Sequence, residues 1–262
     1  FTYGIDREKH IRRLDDIIDE MAAKTGSVII RSANGALDTN NYIFESSKRD
    51  EGILRKVVLA AKFGKTFLIE PLEERLSSPA LIYFISREGT LHYIGGSEQE
   101  LSRELEYSGT RFPMRLKKLN PEDLLAVGNK IAEKIRAIGF VGPFNIDFIE
   151  TSDGIYPVEC NARICSSLYT AIINEIIKKR HGDYRYSLTL SYTGLIGISN
   201  FRQLQERVGS MLYNGTNIDC RVIPINVGHL NHGRVVVSFT SKSESGLIES
   251  CTEFGTYINK RS

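Results

Sequence analysis

Residues 139 to 163 constrain the chain more than any other stretch: Gly-Phe-Val-Gly-Pro-Phe-Asn-Ile-Asp-Phe-Ile-Glu-Thr-Ser-Asp-Gly-Ile-Tyr-Pro-Val-Glu-Cys-Asn-Ala-Arg. Two apolar runs flank a Ser-Asp-Gly turn, which is the pattern of an antiparallel hairpin. Side chains alternate along a strand, so Glu159, Asn161 and Arg163 share one face of the second run. Pairing across the hairpin brings Asp147 to that face. Phe144, Ile146, Phe148, Ile155 and Val158 are then expected in the core. Carboxylates held beside such a core cost free energy unless a cation compensates them. Two carboxylates, an amide oxygen and a guanidinium form a hard-oxygen set for Mg²⁺ with a phosphate partner beside it. The plainer alternative is a solvated acidic face paired with surface bases.

The remaining pattern is mixed helix and strand. Residues 8 to 23 carry apolar positions at 11, 14, 17, 18 and 21, a helical period, and Gly26 suits a left-handed cap. Ser27 to Arg31 reads as a strand, 32 to 41 as a polar loop, and Tyr42 to Phe44 as a strand. A helix over about 50 to 64 presents Ile53, Leu54, Val57, Val58 and Ala61 on one face. Residues 77 to 94 read as a hairpin turning at Arg87-Glu-Gly. Asn120-Pro-Glu-Asp opens a helix, with Asn as cap, Pro at the first position and acids at the positive end. Its apolar face is Leu124, Leu125, Val127, Ile131, Ile135 and Ile138. Residues 166 to 180 form a further Ile-rich helix, and 191 to 200 read as a loop or linker. Two strands, 219 to 226 and 233 to 240, precede a helix from Ser243 to Tyr257 with Leu247, Ile248, Cys251 and Phe254 on one side.

The Asp-Phe-Ile strand, its turn and the Glu-x-Asn-x-Arg strand resemble the metal-binding end of the ATP-grasp fold. The resemblance implies an α+β chain holding nucleotide between two α+β subdomains. It implies Asp147, Glu159 and Asn161 as Mg²⁺ ligands, with Asp147 either a direct ligand or a residue behind the ligands. Arg163 becomes a phosphate partner; Ala162 stands where the family usually has proline. Residues 27 to 44 look like the family's flap, which implies phosphate contacts around Gly35. Arg31 stands where the family usually places a lysine, and keeps the charge with different geometry. Lys65 to Glu74 resembles the hinge strand. That implies backbone contacts to adenine from Glu70 and Leu72, ribose contacts from Glu73 or Glu74, and apolar walls from Ile29 and Val158.

The order Ser77-Ser-Pro, strand, glycine turn, Glu98-Gln99 and Tyr107-Ser-Gly-Thr-Arg-Phe-Pro113 is similar to the pheganomycin-type peptide ligases. This makes Gln99 and Arg111 candidates for substrate or acyl-phosphate contacts. Ser166 and Ser167 are either contacts of the same kind or a plain helix cap. The implied activity is an ATP- and Mg²⁺-dependent ligation of a small carboxylate to an amine, either of them an amino acid or peptide. It proceeds through an acyl phosphate, with Arg31, Arg111 and Arg163 stabilising charge. The implied organisation is a flap subdomain with hinge over 1–75, a metal and catalytic subdomain over 76–185, and a C-terminal α/β appendage over 186–262. The family's upstream domain is expected to be missing. The alternatives are a nucleotide-binding module without catalysis and a scaffold without nucleotide.

Composition excludes other classes. With 34 basic and 32 acidic residues the net charge is +2, which gives no case for nucleic acid or an anionic membrane. No apolar run reaches the roughly 18 residues of a membrane helix, and no signal peptide is visible. Cys160, Cys165, Cys220 and Cys251 lack metal spacing and read as reduced thiols of a cytoplasmic protein, Cys160 on the core side. The five histidines form no recognisable triad. The oligomeric state stays open, self-association included.

Overall fold

Alternation sets the first sheet. β1 (Ser27–Ser32) turns Val28 and Ile30 inward to full burial and leaves Ile29 and Arg31 on the other face. In a computed structural model that describes residues 7–32, 42–45, 50–62, 66–101, 107–182, 184–215 and 222–259, the chain divides into two units, Phe1–Glu74 and Arg75–Ser262. Residues 33–41, and with them Gly35, lie outside the described residues.

In the first unit β1 is the centre of an antiparallel sheet, between β2 (Tyr42–Glu45) and β3 (Phe67–Pro71). α1 (Arg7–Thr25) buries Leu14, Ile18 and Ala22, four residues apart, against Val28, Ile30 and Phe44. α2 (Glu51–Lys62) adds Leu54 and Val57. Asp50 caps α2 by accepting from the amides of Gly52 at 2.8 Å and Ile53 at 3.2 Å. Gly26 ends α1 at φ +77, with its amide on the Ala22 carbonyl.

The second unit is built on one antiparallel sheet. Its strands are β4 (Pro79–Ile85), β5 (Leu91–Leu101), β6 (Tyr107–Phe112), β7 (Gly142–Glu150), β8 (Ile155–Asn161), β9 (Tyr186–Tyr192), β10 (Val222–Asn226) and β11 (Val235–Ser241). Among the described residues their order is β10-β11-β9-β6-β5-β4-β7-β8. Residues 186–262, expected as an appendage, thus contribute three strands to the sheet that carries the acidic hairpin.

One face of the sheet is apolar. α3 (Pro121–Ala137) lays Leu124 and Ala132 on Leu81, Tyr83, Phe144 and Ile146. Gly128 permits this approach, because a Cβ there would sit 2.3 Å from a Leu81 methyl carbon. Further along, α5 (Phe201–Val208), which the sequence reading did not anticipate, and α6 (Glu244–Asn259) cover Leu188, Val237 and Phe239. The other face carries α4 (Ser166–His181), which packs Ala171 on Ile82 and Phe112. There Thr170 and Thr189 hydroxyls meet at 2.8 Å.

Glu150 locks the end of β7. Its fully buried carboxylate accepts from the Ser77 hydroxyl at 2.6 Å and from the amides of Lys117, Lys118 and Leu119, each at 2.8 Å. Burial opposes ionisation, but the Ser77 hydroxyl and the three amides outweigh it and hold this carboxyl below its ordinary range.

Several local expectations need correction. Asn120 sits at the N-cap of α3, but its side chain makes no capping bond. Ile138 follows the end of that helix and is exposed, as is Ile248 on α6. Cys160 is exposed on β8, which among the described residues is the edge strand of its sheet. Val158 is half-buried, not core, because a bulge places it as the extra residue of β8: Asp147 faces Glu159 while Phe148 faces Pro157. No helix among the described residues is long and apolar enough to cross a membrane.

Candidate functional site

The register of the hairpin brings the acidic residues together. Asp147 lies directly opposite Glu159, and Asn145 directly opposite Asn161. Residues opposite one another on an antiparallel pair share a face with Cβ atoms about 5 Å apart. All four therefore line one quadrilateral. It belongs to a cavity of about 430 Å³ on the α4 side of the sheet. Ala80, Ser97, Gln99 and Thr110 extend the floor, and Tyr107, Arg163, Ile164, Cys165, Ser166, Ser167 and Tyr169 form the wall. Ala80 pairs with Ser97 on one side and Asp147 on the other, so its small side chain leaves the floor open.

Asp147 is the most constrained group, with 4% exposure. Asn161 Nδ2 donates to its Oδ2 at 3.0 Å, Asn145 Nδ2 donates to its Oδ1, and Gln99 is a third hydrogen-bond partner. Burial raises its carboxyl from the ordinary 3.8 to about 7, and the facing Glu159 adds to the rise. Gln99, Asn145 and Arg163 oppose it. Glu159 is exposed to the cavity. Arg163 Nη2 donates to Asn161 Oδ1 at 2.7 Å, so guanidinium, carboxamide and carboxylate form one chain of hydrogen bonds.

At the far wall Tyr107 bonds the hydroxyls of Thr110, at 2.6 Å, and Ser166. Cys165 meets Ser167 at 2.9 Å. Sequence reasoning missed Asn145, Tyr107 and Thr110. Asn145 carried a usable signal, since it lies two residues before Asp147 and so on the same strand face.

Arg111 does not join the site. Thr110 faces the cavity, so Arg111 turns to the opposite side of β6 and pairs there with Glu100. Val158 does not line the cavity either.

The other expected residues lie in the first unit. Ile29, Arg31 and Glu70 share the face of the three-stranded sheet away from its helices, and Glu73 lies half-buried in the turn beyond β3. Arg31 Nε donates to Glu70 Oε2 at 2.9 Å. The Leu72 amide donates to Ser27 at 2.9 Å, which fixes Ile29 and Glu70 as a hydrogen-bonded pair. The backbone amides of Glu70 and Leu72 are therefore engaged by β1. Among the described residues the other edge of β3 has no partner strand, and it presents the Pro71 carbonyl, because Val28 and Pro71 form the non-hydrogen-bonded pair.

The order of strands, the acidic hairpin and the helix that follows it define an ATP-grasp fold. N5-carboxyaminoimidazole ribonucleotide synthetase from Thermus thermophilus superposes with a TM-score of 0.63 at 13% identity, over 94% of this chain and 66% of that one. The biotin carboxylase complex with β-γ-ATP from Campylobacter jejuni gives 0.60 at 12% identity, over 92% and 59%. A carboxyaminoimidazole ribonucleotide synthase from Aspergillus clavatus complexed with ATP gives 0.61 at 11% identity, over 97% and 72%. The chain thus spans between about three fifths and three quarters of the length of these proteins. Comparison with protein-family models and with curated proteins gives no match.

Proposed function

We propose that this chain carries the nucleotide and cation site of an ATP-dependent ligase, one that joins a small carboxylate to an amine through an acyl phosphate. The carrying observation is the register that sets Asp147 against Glu159 and Asn161 beside them on an ATP-grasp fold. Two of the similar structures hold ATP or an ATP analogue, which supports nucleotide binding here.

The donor set fits Mg²⁺. Carboxylate and carboxamide oxygens are its preferred protein ligands, and Asp147, Glu159 and Asn161 would hold it. When bound, the ion neutralises phosphate charge. The chain's own groups do the remaining work. Arg163 supplies a cationic donor for phosphate oxygens, and Gln99 and Asn145 hold the Asp147 carboxylate in place. In the reaction, a substrate carboxylate oxygen attacks the γ-phosphorus and the bond to ADP breaks. The amine nitrogen then attacks the acyl carbon, loses a proton, and phosphate leaves. Positioning and electrostatics supply the rate, and no covalent enzyme nucleophile enters.

The peptide-ligase character is the finer part of the proposal. It is supported by Gln99 in the cavity and by the hydroxyl-rich lining of Tyr107, Thr110, Ser166 and Ser167, which suits a polar amino-acid or peptide substrate. Arg111, on the opposite face, has no part in it.

Hydroxylamine tests the reaction directly. With Mg²⁺-ATP and a panel of amino acids and short peptides, an activated carboxylate is trapped as a hydroxamate while ADP and phosphate accumulate in equal amounts. AMP and pyrophosphate as products would exclude the mechanism. Nucleotide binding without turnover across the panel would favour a binding module, the reading to which the Arg31–Glu70 pair also points, since it engages the flap cation.

A further inference from the structure

We propose that Asn145 contributes a fourth side-chain oxygen to the cation site, beyond Asp147, Glu159 and Asn161. The inference rests on the reading of that face as a cation site. Asn145 is 4% exposed and lines the cavity. Its Nδ2 donates to Asp147 Oδ1, which fixes the orientation of the carboxamide and turns Oδ1 the other way. That oxygen is buried and has no hydrogen-bond partner. A buried carbonyl left without a partner costs about 1–3 kcal/mol, and native proteins leave few of them.

The neighbours on this face cannot supply what Oδ1 needs. Asp147 and Glu159, when ionised, offer only acceptors. Asn161, directly opposite, donates its Nδ2 to Asp147 and accepts from Arg163 through Oδ1. The Ser97 hydroxyl is also buried without a partner, but it stands on β5, two strands from β7 across β4. It is level with Asp147, and Asn145 lies two residues further along β7, so two strand spacings and that offset separate them by more than about 10 Å, too far for a short serine side chain; the longer Gln99 is engaged with Asp147. A buried acceptor without a hydrogen-bond partner, beside two carboxylates, is satisfied by a positive ion. The donor types, two carboxylates and two carboxamide oxygens, are those of a hard divalent cation.

The test is Mn²⁺ binding to the intact chain, followed by electron paramagnetic resonance of the free ion, for wild type, Asn145→Ala and Asn145→Asp. The ligand role predicts that Asn145→Ala weakens Mn²⁺ about tenfold, the lower end of what losing a supporting group costs a metal site. It also predicts that Asn145→Asp tightens Mn²⁺, because an anionic oxygen replaces a neutral one. If Asn145 served only to hold Asp147, the aspartate would lose the donor and repel its neighbour. Both variants would then weaken binding, and that result overturns the proposal. So does an affinity within twofold of wild type in both. Thermal melts establish that each variant folds, and the aspartate decides the question alone if the alanine does not. A wild-type chain that binds no Mn²⁺ would overturn the cation site itself, a result distinct from normal wild-type binding with unaffected variants.

Discussion

Replacing Asp147 by asparagine should make the protein more stable while removing its cation affinity. The carboxyl is almost fully buried, and its neighbours are carboxamides rather than cations. Raising it from 3.8 to about 7 means that the folded chain binds a proton the unfolded chain releases throughout that interval. This group's contribution therefore declines as pH rises from about 4 to about 7, and stays lost above. At about 1.36 kcal/mol per pH unit the full loss is about 4 kcal/mol. Asparagine removes the charge and keeps the shape. Its new amide group needs an acceptor, and Asn145 can provide one by turning its unpartnered Oδ1 round. Some of the present hydrogen bonds weaken in exchange, so the expected gain at pH 8 is about 2–4 kcal/mol. Urea titrations at pH 5, 6, 7 and 8 without divalent cation measure it directly. Between pH 5 and 7 the wild type should lose stability that the variant retains. Adding Mg²⁺-ATP should restore the wild type and leave the variant unchanged. A variant less stable than wild type at pH 8, or parallel pH slopes, would refute the reasoning.

Two further outcomes separate scaffold from site. Glu150→Ala strips a hydroxyl and three amides of their buried acceptor and should cost about 3–5 kcal/mol in chemical denaturation. Its carboxyl is held low, so the stability it provides is present above its ordinary 4.5 and disappears as pH falls through the depressed value. Acid titration of wild type should show that loss and Glu150→Gln should lack it. Glu159→Ala, by contrast, alters an exposed cavity residue. It should leave the melting temperature within a few degrees and reduce Mg²⁺-dependent ATP binding at least tenfold by calorimetry.

The hairpin was legible because strand alternation is local. The sequence alone put Asp147, Glu159 and Asn161 on one face, and the register agrees. The errors come from features that depend on distant partners. One extra residue at the bulge moves Val158 out of the core, and nothing in Tyr-Pro-Val-Glu announces it. Cys160 alternates toward the apolar side, but β8 is the edge strand, and edge position is decided by the order of the whole sheet. Arg111 and Thr110 are neighbours in sequence and lie on opposite faces. Choosing between them required knowing that Thr110 pairs with Gln99, and Gln99 reaches Asp147 across β4.

The same distinction explains what the site consists of. Most of its chemical types are written in about 19 consecutive residues, 145 to 163, at strand spacing. Its energetics are not. Asp147 is hard to ionise because it is buried and because Glu159 faces it. The burial is completed by residues from elsewhere in the chain: Ala80 and Gln99 beside it on the floor, and the start of α4 on the wall. A free hairpin with this sequence would hold the same oxygens in water, where the carboxylates would remain ionised and hydrated without a cation. Inside the sheet they share a cavity with three carboxamides and one guanidinium. It is the fold that turns a polar strand face into an enclosed acidic cavity, and that enclosure is the free-energy reason for the cation site proposed there.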